Sequence, residues 1–240
     1  MILFGINFAL YFQMIKGNKK DVLKSEELRY YILMVLVSIV VIAINIIDFN
    51  GGDISKSIRD SSFQVASIIT TTGYATTDFN LWPTLSKMIL LMLMFAGAMA
   101  GSTGGGIKTV RIVIIFKAIK REIDKILHPK RVKSVKMDGK VIDEEIIHGV
   151  FLFLGGYIII SLIAMFIVAL DGFDLVTTST SVIATISNIG PGFEMVGPSG
   201  NFSAFSPLSK IVLSFCMLAG RLEIYPMLIM FSPSIWRKNY

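Results

Sequence analysis

The 240-residue chain carries 23 Lys and Arg against 17 Asp and Glu, a net charge of +6, and 53% of its residues are hydrophobic. Its mean hydropathy is +0.69. A soluble domain is only about 45–50% apolar, so this excess, with 20 Gly and 13 Met, points to a chain dissolved in lipid. The bases cluster outside the apolar runs, which argues against a nucleic-acid-binding face, and a lone Cys216 excludes an intrachain disulfide framework.

No signal peptide is visible, because Met1 opens an apolar stretch without a basic n-region or cleavage site. Residues 1–15 read as the tail of a helix whose beginning is absent. Lys16, Lys19, Lys20, Lys24 and Arg29 follow. A first apolar span, "YYILMVLVSIVVIAINII", covers residues 30–47. Next comes a half-polar stretch, residues 57–83, with Gly73 in a Thr-rich turn. The second span, "LSKMILLMLMFAGAMAG", covers residues 85–101 and runs into "AGSTGGGIKTVR". The segment "VRIVIIFKAIKREIDKIL" has helical periodicity, and "KRVKSVKMDGKVID" predicts a short hairpin turning at Asp138-Gly139. A third span covers residues 146–170. A second half-polar stretch, residues 174–197, places Gly190 in "SNIGP". The fourth span covers residues 208–231, and Arg237 and Lys238 follow it. All four spans approach the roughly 20 residues a bilayer requires.

Lys and Arg placement predicts a cytoplasmic N-terminus, middle segment and C-terminus, with both glycine turns opening outward. The two half-polar stretches are too short to cross and return as helix. Each fits a re-entrant helix that comes back as irregular backbone, which survives at membrane depth only when buried in protein or lining a wet cavity.

The glycine-rich stretch invites a phosphate-loop reading, since Gly101 and Gly106 have the spacing. Ile107, however, separates Gly106 from Lys108, where that motif needs the lysine at once. The preceding run is also too long and too rich in Leu and Met for a strand, so the nucleotide reading is set aside.

An internal repeat organises the chain. "LSKMILLMLMFAG" (85–97) and "LSKIVLSFCMLAG" (208–220) share seven of thirteen positions at a shift of 123, and Gly73 falls on Gly190 at a shift of 117. The predicted unit is outer helix, re-entrant helix, glycine turn, inner helix. Two copies in the same orientation fit around an axis normal to the membrane. In the turns, Thr70, Thr71, Thr72, Gly73 and Tyr74 on one side and Ser187, Asn188, Ile189, Gly190 and Pro191 on the other can present backbone carbonyls to a common axis, replacing the water shell of a cation. Glycine admits the positive φ this needs. Two ordinary turns between helices are the plainer alternative. Asp78 and Glu194 lie nearby as a candidate cation-concentrating vestibule.

On "TTTGYATTDFNLWP", "AGAMAGSTGGGIKTVR", "SNIGPG" and "LAGRLEIYPMLIMFSPSIW", the chain resembles the Trk/Ktr/HKT superfamily of potassium transporters, more closely its bacterial Trk-type membrane subunit, over essentially its whole length. The resemblance implies an all-α membrane fold in which four channel-like units form a pseudo-tetrameric pore. Residues 1–28 would end the preceding unit's inner helix and link to the next. Residues 29–127 would form the third unit, 128–144 a basic cytoplasmic hairpin connector, and 145–240 the fourth unit. It implies potassium uptake, by symport or in a channel-like mode, with K+ held at Thr72, Gly73, Asn188 and Gly190. K+ against Na+ stays open. It also implies no enzymatic activity, a homodimer of full-length chains, and a cytosolic nucleotide-binding regulatory subunit (TrkA-like), for which the basic middle segment is a candidate dock; a solvated connector is the plainer account of that segment.

By the same resemblance, residues Gly101, Ser102, Thr103, Gly104, Gly105, Gly106 and Lys108 form a gate loop that breaks the third unit's inner helix, and Arg221 is a positive barrier beside it. Each glycine weakens a helix by about 1 kcal/mol relative to alanine, and a charge at mid-membrane depth faces a pore or a partner. A static kink and a helix-clamping arginine are the structural alternatives. Glu223 is grouped with the gate, although positions two apart on a helix do not face each other, and Pro226 is expected to kink the helix below. Lys87 and Lys210 are expected to snorkel, and His128 and His148 have no partners at metal-ligand spacing. Two turns cannot close a fourfold ring. The expectation is therefore a piece of a longer chain, two chains sharing one pore, or a separate chain supplying the rest. A non-conducting regulatory or assembly subunit is the runner-up.

Overall fold

The computed structural model describes residues 1–17, 19–129 and 133–222. Its helices are α1 (Phe8–Ile15), α2 (Lys19–Lys24), α3 (Glu26–Asn45), α4 (Ile54–Ile69), α5 (Thr84–Ala96), α6 (Thr109–Leu127), α7 (Glu144–Val168), α8 (Leu175–Ile186) and α9 (Pro207–Leu222). Strands β1 (Lys136–Met137) and β2 (Lys140–Val141) pair antiparallel. Asp138 and Gly139 turn the hairpin with φ of 50° and 77°, the doubly left-handed combination of a type I′ turn.

Helix starts follow local chemistry. Asp53 accepts from the Lys56 amide and Asp174 from the Thr177 amide, capping α4 and α8. Ser25 caps α3, whose first turn holds Glu26 and Glu27. Along α7, Leu152, Ile159, Ile163 and Phe166 are exposed, whereas Val150, Phe153, Tyr157 and Val168 are buried. A helix apolar on both its packed and its open face belongs in lipid.

Two helices among the described residues are long and apolar enough to cross a membrane, α3 and α7 with its short 3-10 extension to Asp171. Of the four spans expected from sequence, the second is not helical over its whole apolar run. Helix α5 stops at Ala96 because Gly97 adopts φ 65°. Its 13 residues reach only ~20 Å, short of a hydrocarbon core ~30 Å thick. The fourth is described as α9 to Leu222; Glu223, Pro226 and the rest of that expected span lie outside the described residues, as do Lys130, Arg131, Arg237 and Lys238. Residues 1–15 also differ from a continuous helical tail. A 3-10 turn (Ile2–Gly5) gives way to extended backbone at Ile6, and Asn7 caps a separate helix, α1.

Two packed groups meet at the centre. Tyr31, Val35 and Ile42 of α3, Val65 and Ile69 of α4, and Leu90 and Met94 of α5 form one core, into which Ile183, Ile189 and Phe193 reach from the second half. Tyr157, Ala164 and Val168 of α7 pack with Val182 and Ile186 of α8 and Leu213 and Cys216 of α9, and Ile107 from the glycine-rich loop joins them. In lipid this association rests on close packing more than on exclusion of water. Gly220 shows how close: a Cβ there would overlap the Ile186 carbonyl oxygen.

Candidate ion pathway and glycine-rich loop

The chain leaves α4 and α8 through turns with matching backbone bonds. The amides of Thr72 and Gly73 both donate to the Ser67 carbonyl, at 2.8 and 3.4 Å; those of Ile189 and Gly190 both donate to the Ala184 carbonyl, at 2.8 and 3.5 Å. The handedness matches too, with φ positive at Thr71 (52°) and Gly73 (77°), and at Asn188 (57°) and Gly190 (111°). In a trans peptide the N–H and the preceding C=O point opposite ways. Amides turned back on the helix therefore send the carbonyls of Thr71 and Thr72, and of Asn188 and Ile189, away from it. A β-branched residue at positive φ is strained, and Thr71 holds that conformation.

Side chains secure each turn differently. Thr70 Oγ1 donates to the Ala66 carbonyl (2.6 Å) and pairs with Thr72 Oγ1 (2.8 Å), and the Ser67 hydroxyl donates to the Tyr74 carbonyl at 2.5 Å. In the second turn Ala184 offers no hydroxyl, and Pro191 stands where the first has Tyr74, restricting the exit by its ring. Ser187 is tied to the Tyr157 hydroxyl at 2.9 Å, and Asn188 Nδ2 donates to the Met217 carbonyl at 3.1 Å. The turns are in close approach: a Cβ on Gly73 would overlap the Ile189 carbonyl oxygen. Both begin at helix C-termini, whose partial negative charge favours cations.

The glycine-rich stretch lies directly against both turns. Gly105 donates its amide to Thr71 Oγ1 at 3.0 Å, and a Cβ on Gly105 would crowd the Ser187 carbonyl and Asn188. Gly97, Gly101, Gly106 and Lys108 have φ of 65°, 69°, 75° and 75°. The path re-enters a helix once Thr109 has donated its amide to Ala98 and its hydroxyl to Gly97. Ser102 Oγ donates to Met99 and accepts from the Gly104 amide. Thr103 donates its hydroxyl to Phe4 and receives Arg221 on its carbonyl, at 2.9 Å. A cavity of about 160 Å3 lies here, with Lys108, Arg111 and Arg221 at its edge and Phe153 under the Arg111 guanidinium. The stretch follows a helix, not a strand, which agrees with setting the phosphate-loop reading aside.

Several candidate residues make bonds that the sequence does not announce. Asp78 caps the turn at Asn80 and accepts from Ser199. Lys87 and Lys210 each donate to the carbonyl seven residues earlier, Asn80 and Ser203, so each ammonium is tied to its own preceding loop. Among the described residues no His, Cys, Asp and Glu group could hold a metal ion. Sequence reasoning missed Asn80, whose amide side chain both donates to the Glu194 carbonyl and accepts from the Glu194 amide, each at 3.0 Å. It also missed Glu27, buried on α3, whose carboxylate accepts from the Ala100 amide at 2.7 Å. Nothing local to either residue announces a partner so far along the chain.

Two long apolar helices, with paired left-handed turns packed against a glycine-rich stretch, define a helical membrane protein. The chain belongs to the TrkH family, described as a cation transport protein, whose model matches residues 1–238. That is a transporter family rather than an enzyme family. The chain is 34% identical over 241 residues to the Trk system potassium uptake protein TrkH of Escherichia coli strain K12, a match covering 99% of this chain and 49% of that protein. It is 33% identical over 237 residues to the Trk system potassium uptake protein TrkG of the same strain, covering 98% and 48%. The crystal structure of the potassium transporter TrkH from Vibrio parahaemolyticus matches with a TM-score of 0.89 at 31% identity, covering 98% of this chain and 51% of that one. The chain thus spans about half the length of the curated relatives it matches.

Proposed function

We propose that this chain contributes two of the four channel-like units of a potassium-uptake pore. The observation that carries this reading is the pair of turns after α4 and α8, alike in bonding and handedness, with carbonyls turned away from their helices. Thr70 to Tyr74 and Ser187 to Pro191 form two sides of the filter, with K+ held at carbonyls around Thr72, Gly73, Asn188 and Gly190. Carbonyl dipoles and helix C-termini replace the ion's water without a fixed carboxylate. The units correspond to residues 29–127 and 145–240. The remaining sides come from further chain or from a second polypeptide. Similarity to potassium uptake proteins favours K+ over Na+ as cargo.

The loop from Gly101 to Lys108 is the gate. In the position observed it lies under both turns, and Arg221 both holds it and sets a positive charge beside the ion route. The molecule sits in the cytoplasmic membrane with the loop side, α6 and the hairpin on the cytoplasmic face. It works as a homodimer of full-length chains with a cytosolic nucleotide-binding regulatory subunit docked on the basic segment between α6 and α7. The test is K+ uptake by potassium-dependent cells or by liposomes containing protein that carries this chain. Uptake should require Gly73 and Gly190, and a protein that inserts normally but moves no cation would favour a non-conducting assembly subunit.

A further inference from the structure

We infer that Glu27 is the latch of the glycine-rich loop, a positioning residue that holds it closed and connects it to the hairpin at Val135 to Ile142. The inference rests on the gate reading above. Glu27 is 7% exposed, and a buried carboxylate is costly unless donors satisfy it. Its donors come from the loop and the helix that follows. The Ala100 amide donates to Oε1 at 2.7 Å, and the Val110 amide, in the first turn of α6, is directed at the same carboxylate. One side chain on an outer helix thus spans the entry and the exit of the loop. Moving the loop leaves the buried carboxyl without its donors, so Glu27 favours the closed position.

The preceding residue carries the link to the cytoplasmic side. The Glu26 amide, an otherwise unpartnered donor at the α3 N-terminus, donates to Asp138 Oδ1 at 2.6 Å. The Glu26 carboxylate pairs with Lys117 of α6, whose ammonium also donates to the Lys136 carbonyl at 2.7 Å. The hairpin is seated by buried Val135 against Ile114 and Ala118 of α6 and Ile147 of α7. A partner that lifts the hairpin removes the Asp138 contact from the start of α3, one residue from the latch. Displacement at the hairpin is thereby transmitted to the loop through two adjacent glutamates.

The experiment uses protein carrying this chain in liposomes, with two readouts. One is K+ uptake; the other is the labelling rate of an Ile107→Cys reporter by a membrane-impermeant thiol reagent. Ile107 is buried at the loop's end, and the chain's one native thiol, Cys216, is buried. Glu27→Ala should raise both readouts about tenfold, the order expected from loss of a charge-assisted hydrogen bond. Glu27→Gln keeps a carbonyl acceptor and should stay within about threefold of native. Asp138→Ala should raise both less and add little on top of Glu27→Ala, because the two act in series. Unchanged labelling in Glu27→Ala, or additive effects of the two substitutions, overturns the latch. Should Glu27→Ala fail to insert, Asp138→Ala decides: no change in labelling sinks the inference. If native protein moves no K+ but the labelling pattern holds, the potassium reading fails and the latch stands.

Discussion

Arg221 donates from Nη1 to the Thr103 carbonyl at 2.9 Å, joining α9 to the glycine-rich loop across 118 residues of sequence. The bond is the one a clamping arginine makes, and the barrier role is a proposal that flux tests. The guanidinium clamps a carbonyl, and the carbonyl it clamps belongs to the segment beneath the turns. Arg221→Ala should therefore increase cation flux in liposomes by about tenfold or more, since a hydrogen bond from a charged group is worth ~1.5–3 kcal/mol. Lysine lacks the planar fork and should restore closure only in part. Unchanged flux in both variants would leave Arg221 a structural clamp.

Thr71 should matter through its hydroxyl. It accepts from the Gly105 amide, so Thr71→Ser should conduct as native. Thr71→Ala removes the acceptor and should raise the open fraction about fivefold, the worth of one neutral hydrogen bond of ~1 kcal/mol. Folding should not suffer, because alanine tolerates a left-handed position better than a β-branched residue does. Single-channel or tracer flux separates the two variants.

Gly105 should not accept a methyl group without moving the loop. A Cβ there meets the Ser187 carbonyl, and one on Gly104 meets Ala98. Alanine at residues 104–106 should thus displace the loop and change flux, while membrane abundance, measured by immunoblot, stays near native. Native flux from that variant would mean the loop does not gate.

Asn80 joins the two halves through paired bonds to the Glu194 backbone. Asn80→Ala should cost about 1 kcal/mol, given the exposure of the pair, and lower the melting temperature in detergent by about 2–4 °C. A melting curve unchanged within error would show that the bridge contributes nothing.

Asp174 lies outside both long apolar helices. The Thr177 hydroxyl and amide hold its carboxyl below the usual range. A depressed folded-state value makes its contribution complete above the unfolded pKa of about 3.9 and lost as pH falls through the lower folded value. Melting temperature should decline below about pH 4 in native protein. Asp174→Asn, which keeps the cap, should show less of that decline, and identical acid profiles would remove the role.

Where sequence and structure agree, the signal was local. Sustained apolar runs mark α3 and α7, Asp138-Gly139 marks the hairpin turn, and the shared "LSK" register marks α5 and α9. Where they part, the cause is backbone geometry or distance. Gly97 ends α5 four residues before the apolar run does, because its φ is positive. Extended backbone at Ile6 and the Asn7 cap divide an N-terminal stretch whose composition suits one helix. The candidate turn residues come together with the glycine-rich stretch, and their glycines were legible from the repeat. The groups that tie them were not. The Thr71 hydroxyl, Asn80 and Glu27 meet partners 34, 114 and 73 residues away, and no periodicity encodes such pairings.

The most direct measurement is paired K+ and Na+ uptake by Gly73→Ala and Gly190→Ala proteins at matched membrane abundance. Gly73 has no room for a Cβ beside the Ile189 carbonyl, and Gly190 has room but a φ of 111°. Both substitutions should therefore displace coordinating carbonyls, cut K+ uptake about tenfold or more and narrow the K+ preference over Na+. Native uptake with unchanged ion preference in both would contradict a cation route between these turns.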